Sequence, residues 1–206
     1  MAADPIERVD RVIERLDEAL RSAGFDPLAP AADGEAVADI DAAVAPYAVP
    51  VDLRRAWERV DLQSLQVTGW STPEWCSPRT ALAIHRQNLA EAPLLFGPPL
   101  LFPIARISGD QWSIELMSEA SPGGTTLSQD SGAHVWRIEY ASFTDLLEVY
   151  AELIEEGRFL RWDNGVGSLS LEDERAMQDA RLGGAREIAA APAGWPAHWL
   201  RAATDT

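Results

Sequence analysis

Apolar side chains recur at Ile6, Val9, Val12, Ile13, Leu16, Ala19 and Leu20 with charged residues between them. That three-and-four spacing lays one stripe along a helix. Asp4 and Pro5 supply an N-cap and a first-turn proline, and Gly24 closes the pattern, so a helix is predicted over residues 5–23. "FDPLAPAADG" breaks the periodicity with two prolines and a glycine and reads as a connector. The first helix is therefore expected to be an appendage packed on a main domain. A second helix is predicted from Glu35 to Pro46, with Val37, Ile40, Ala43 and Val44 on one side. Pro50 and Asp52 open a third, whose buried side carries Leu53, Ala56, Trp57 and Val60. Between residues 61 and 79 the pattern is weaker: "LQSLQVTGW" has strand character and "STPEWCSPRT" is turn-rich. A helix follows from Thr80 to Ala90.

The period then changes to two. In "PIARISGDQWSIELMSE", Ser108, Gly109 and Asp110 supply turn chemistry between "LLFPIARI" and "QWSIELM". Trp112, Ile114 and Leu116 alternate with Gln111, Ser113 and Glu115. The alternation predicts a hairpin strand with the first set in the core, the second facing solvent or a partner, and Asp110 at the turn. "SPGGTTLSQDSGA" reads as a flexible link to a strand at "HVWRIEY", where Trp136, Ile138 and Tyr140 share a face. "SFTDLLEVYAELIEEG" is the clearest helix: Ser142 and Asp145 resemble a capping box, Phe143, Leu146, Leu147, Tyr150, Leu153 and Ile154 form the stripe, and Gly157 ends it. A hairpin around Asp163-Asn164-Gly165 and a last helix from Leu171 to Leu182 precede a Pro/Ala/Trp tail. Helices, then strands joined by short turns, then helices again indicate α+β with a mostly antiparallel sheet, against a regular βαβ alternation. No internal repeat is visible.

The 206 residues suit one compact domain with terminal additions: a helix and linker over 1–30, an α+β domain over 31–160, and an extension over 161–206 packed on it. Acidic residues outnumber basic ones 33 to 17, for a net charge of -16, and every basic residue is Arg. Such a surface repels phosphate backbones and anionic lipid, which argues against nucleic-acid and membrane partners, and it attracts a basic protein at long range. The same balance also serves plain solubility. Cys76 is the single cysteine, so no internal disulfide can form. The start lacks the basic-then-apolar order of a signal peptide, and no apolar run approaches the ~20 residues that span a bilayer. A cytoplasmic location is expected.

Motifs for chemistry are sparse. His85, His134, His198 and Cys76 are far apart, without CxxC or HExxH spacing, and Asp39 and Asp41 point to different faces of a helix, so no metal site is expected. His85 reads as a surface or groove residue. Cys76 has an acidic neighbour, Glu74, rather than a base that would lower its pKa, and reads as a buried or indifferent thiol. The Gly pairs in "SPGGTT" and "LGGARE" lack both the Lys of a phosphate-binding loop and GxGxxG order, so no cofactor is implied. Asp110, Glu115, Glu119 and Glu139 on the presumed sheet are the carboxylates from which an acid/base pair could be drawn. A small acid/base hydrolase or ligand-binding enzyme is the alternative they leave open. Eight tryptophans exceed what one small core can take, and exposed ones would suit a protein-binding face.

"LLFPIARISGDQWSIEL" followed by "EYASFTDLLEVYAELIEEG" resembles the core of the SUKH superfamily, which includes Smi/Knr-type fungal cell-wall regulators and many bacterial toxin-immunity proteins. The matching pieces are the apolar-Pro lead-in at Leu101 to Ile104, Gly109-Asp110 with alternation through Leu116, and Ser142-Phe143 opening an amphipathic helix. Val49-Pro50 in "VAPYAVPVDLRRAWERV" stands in the family's Leu-Pro place. The chain departs from the pattern in lacking Asn-Gly within "RVDLQSLQ" and in carrying Glu115 where Asp is usual. The resemblance covers about residues 35–157. It implies a bent, mostly antiparallel sheet with helices around it, and protein binding without catalysis. An immunity protein that neutralises a toxin such as a nuclease is the expected function; a regulatory scaffold is the other reading the family allows. Asp110, Ser113, Glu115, Glu119 and Glu139 are the expected contacts to a basic toxin domain.

Overall fold

The computed structural model describes residues 4–31, 34–68, 74–91, 100–107, 110–119, 123–130, 135–163, 165–182 and 186–188. In chain order, α1 (Pro5–Ser22), β1 (Ala29–Pro30), α2 (Gly34–Val44), α3 (Val51–Arg59), β2 (Val60–Asp61), β3 (Val67–Thr68), β4 (Glu74–Trp75) and α4 (Pro78–Glu91) form the first half. Then come β5 (Leu101–Ile107), β6 (Asp110–Glu115), β7 (Thr126–Asp130), β8 (Val135–Tyr140), α5 (Phe143–Glu155), β9 (Phe159–Arg161), β10 (Gly167–Leu169), α6 (Leu171–Leu182) and β11 (Arg186–Ile188). The fold is α+β. Its main sheet has six strands in the order β11-β8-β7-β6-β5-β4, every neighbour antiparallel. A smaller sheet orders β3-β10-β9, with β10 parallel to β3 and antiparallel to β9.

The helical stripes form largely as their spacing requires, except that Ile6 at the start of α1 is exposed and Val60 falls in β2 beyond α3. In α1 the Asp4 carboxylate accepts from the Ile6 amide at 3.0 Å, Gly24 takes the left-handed φ of +80° past the end, and Val9 through Leu20 bury one side. The Ser142 hydroxyl accepts from the Asp145 amide at 3.0 Å to start α5. Yet α1 is no appendage. Its stripe belongs to one continuous core with Leu53 and Trp57 of α3, Ile114 of β6, Leu147 and Tyr150 of α5 and Leu169 of β10. Its polar side is pinned as well. Arg8 donates to both carboxylate oxygens of Glu148 at 3.0 and 2.8 Å and to Asp145 at 2.7 Å, and Asp10 accepts from Arg55 at 2.8 and 3.0 Å.

A boundary at residue 30 falls in β1, whose Ala29 pairs with Asp61 of β2, and one at residue 160 falls inside β9. Among its described residues "LQSLQVTGW" supplies a short 3-10 turn over Leu62–Ser64 and two strand residues, Val67 and Thr68. A larger correction concerns "SPGGTTLSQDSGA". Instead of a link, its Thr126–Asp130 is β7, an inner strand of the main sheet. The polar run Thr-Thr-Leu-Ser-Gln-Asp hid a strand buried on both sides. The turn at Ser108-Gly109 lies outside the described residues.

Candidate functional site

The β5–β6 hairpin orders the central part of the main sheet. Phe102 pairs with Ile114, and Ala105 with Trp112, across a bulge between Pro103 and Ala105. Trp112, Ile114 and Leu116 are buried, as the alternation predicts. The opposite face corrects the expectation. Gln111, Ser113 and Glu115 are only 3%, 0% and 2% exposed. Strand pairing sets Glu115 beside Leu101, Ser113 beside Leu127, Leu127 beside Ile138, and Gln129 beside Trp136. Leu101, Leu127, Trp136 and Ile138 form a second apolar cluster there, joined by Leu182 at the end of α6. The sheet is thus sandwiched, and a period of two separates two buried faces rather than core from solvent. Polar groups on the second face meet one another: Asn88 of α4 donates to Gln111 at 2.7 Å, and Gln111 donates to Ser113 at 2.7 Å.

Ser113, Glu115 and Glu139 are consequently no surface for a partner to touch. Glu119 is exposed, after β6, and Asp110 sits at the hairpin end with its backbone paired to Ile107. Glu139 lies on the other side of the sheet from Glu115. It shares that side with Arg137 and Ser128, which pair across β8 and β7, and its carboxyl accepts from the Ser128 hydroxyl. The sheet itself keeps Glu115 and Glu139 apart, so these two do not converge on a shared reactant. Burial pushes the Glu139 pKa up from the ordinary carboxylate value, with the Ser128 hydrogen bond and the Arg137 charge opposing. Next to it Tyr140 donates its phenol to Glu174 of α6 at 2.7 Å, both groups being buried. This cluster holds α6 to the sheet.

Three other sequence candidates resolve into packing. His85 is buried, not on the surface, with its ring centroid 5.0 Å from that of Phe102, and burial lowers its pKa. Cys76 is buried and its thiol is pushed up to about 11 by burial, so it is a poor nucleophile. Trp57, Trp75, Trp112 and Trp136 are core residues; Trp162 is 56% exposed. His134, His198, Trp70, Trp195 and Trp199 lie outside the described residues. Among the described residues no three His, Cys, Asp or Glu side chains are grouped to hold a metal ion, and no helix is long and apolar enough to cross a membrane.

Two features escaped the sequence reading. Asp52, read as part of a helix start, accepts at Oδ2 from the amide and hydroxyl of Thr144 at 3.0 and 3.1 Å, tying α3 to the first turn of α5. Only the fold brings these residues together, 92 positions apart. Leu160, 65% exposed, and Trp162 stand on the rim of the β9–β10 hairpin. The doublet of spaced apolar residues in "FLRW" was the available signal.

The outer surface is governed by how the arginines are used. Arg15 is held by Glu155, Arg54 by Asp41, Arg158 by Glu156 and Asp173, and Arg181 by Glu148 and Glu152. With 33 acids to 17 arginines, such pairing leaves an excess of carboxylates facing water. No family model matches the chain, and a comparison with curated proteins finds no match.

Proposed function

We propose that this chain is a protein-binding domain for a basic protein, and specifically an immunity protein that captures and neutralises a basic toxin domain such as a nuclease. One observation carries the reading: 33 acids against 17 arginines give the chain a net charge of -16, and arginines such as Arg8, Arg55, Arg158 and Arg181 are held in ion pairs with carboxylates of the same chain. A field of that sign speeds encounter with a cationic protein and disfavours anionic partners. The resemblance of residues 35–157 to the SUKH superfamily supports the immunity assignment over an unrelated binder. The test is coexpression with the toxin domain encoded beside this chain's gene. Growth protection with a stable one-to-one complex is the expected result. A neighbouring toxin that kills in the presence of this chain, or no toxin gene nearby, overturns the immunity assignment.

A further inference from the structure

We infer that the outer edge of β9 is a docking surface for an extended, basic segment of a partner protein, which adds to the β3-β10-β9 sheet as a further strand. This rests on the proposed preference for a basic partner and adds where and how contact is made. Among the described residues β9 pairs with β10 alone, so its other edge presents unpaired backbone groups, the template that strand addition uses. Its side chains split by face. Phe159, half-buried, and Arg161 turn toward Phe25, the Phe159 ring 5.3 Å from that of Phe25 and the Arg161 guanidinium 4.8 Å above the same ring. Leu160 and Trp162 turn outward at 65% and 56% exposure, the two most exposed large apolar side chains among the described residues.

A strand laid along this edge would project alternate side chains to the two faces. One set meets Leu160 and Trp162. The other meets a groove of about 620 Å³ between the ends of α1 and α5, lined by Glu18, Ser22, Ala23, Glu155, Gly157 and Phe159. Charge selects what enters that groove. Both helices point their C-terminal, electronegative ends at it. The local arginines are already engaged: Arg158 by Glu156 and Asp173, Arg15 by Glu155, and Arg161 by the Ala23 and Gly24 carbonyls at 3.4 and 2.7 Å. Glu18 in the groove's lining and Asp163 just past the end of β9 are exposed. Arg161 displays within the fold the mode a partner's Arg would repeat, guanidinium on helix-end carbonyls and aromatic face. The occupant is therefore a segment alternating Arg or Lys with apolar residues.

The experiment titrates the full isotope-labelled chain with a short peptide of alternating Arg and Val, and with its Glu and Val counterpart, while following backbone amides. The expected result is shift changes and slowed amide exchange centred on residues 159–162, with affinity about tenfold weaker for the acidic peptide. The L160S/W162A double variant, altered only at exposed positions, should unfold at the wild-type temperature and lose affinity for the basic peptide by about tenfold. Equal affinity for both peptides, shifts confined to another surface, or an unimpaired folded double variant each overturns the inference. Self-association of the wild type through residues 159–162, lost in the double variant, would assign the edge to a second copy and overturn it too. No toxin enters this measurement, so its failure is distinct from failure of the protection assay.

Discussion

Asp52, Gly167 and Glu139 each carry a consequence that can be measured at a single position. The Asp52 carboxylate is the acceptor for both donors of Thr144, in a place only 7% exposed. Asp52→Ala should cost about 2–3 kcal/mol in chemical denaturation, since it strands two buried donors, while Asp52→Asn keeps one acceptor and should cost less. Gly167 leaves room that nothing larger can share, because a Cβ there would approach Phe25 to 2.8 Å and Val67 to 3.0 Å. Gly167→Ala should therefore destabilise by about 1–3 kcal/mol, through overpacking against Phe25 and Val67. For Glu139 the sign follows from burial. Its folded pKa is raised, so the native state holds the proton more tightly than the unfolded chain does. Stability from this group is full below the ordinary value near 4.5 and is lost as pH rises through the folded value. Glu139→Gln keeps a neutral group beside Ser128 and should be more stable than wild type at neutral pH, the difference shrinking as pH falls through the raised folded value and levelling off below the ordinary one. A difference that grows on acidification would show that the carboxylate is stabilised in its charged form.

Among the elements, α1 gives the sharpest test of what joins the pieces. Arg8 is part-exposed in its pairs with Glu148 and Asp145, whereas Leu16 is completely buried. Arg8→Ala should cost no more than about 1 kcal/mol. Leu16→Ala should cost about 2–5 kcal/mol, through lost burial and a residual cavity. If the arginine variant is the more damaging, ion pairing rather than apolar contact holds α1. Ile114→Ala in β6, equally buried, belongs to the same range. Helices were legible because each stripe and each cap is a local signal: Asp4 and Gly24 bound α1, Ser142 starts α5, and Leu171–Leu182 appears as α6 with the bounds that spacing predicts. The sheet was half legible. Trp112 and Ile114 reveal one buried face, but Ser113 and Glu115 look solvent-facing because local sequence carries no trace of Leu101, Leu127 and Ile138 arriving beside them. β7 failed for a related reason, its polar residues being satisfied within the sheet, as Ser128 is by Glu139. A contact surface chosen by alternation was bound to fall on that second core. The exposed Leu160 and Trp162 were legible only as a hairpin, because their exposure depends on β9 being an edge.

At the scale of the whole molecule the charge is the property that contact chemistry cannot supply. An excess of carboxylates over arginines sets a long-range field, and such a field acts on the rate of encounter more than on the lifetime of a complex. Replacing Glu18 and Glu119, both exposed, by Gln should accordingly slow capture of a basic partner and leave thermal unfolding near wild type. Glu115→Gln alters a buried group instead, so its effect belongs to stability. The most direct test is the association rate constant of this chain with the basic toxin domain it is proposed to capture, measured by stopped flow across ionic strength. The rate constant should fall about tenfold or more from low to physiological salt, with the dissociation rate nearly unchanged. A tight complex whose association rate ignores ionic strength, or rises with it, would contradict capture by the acidic surface.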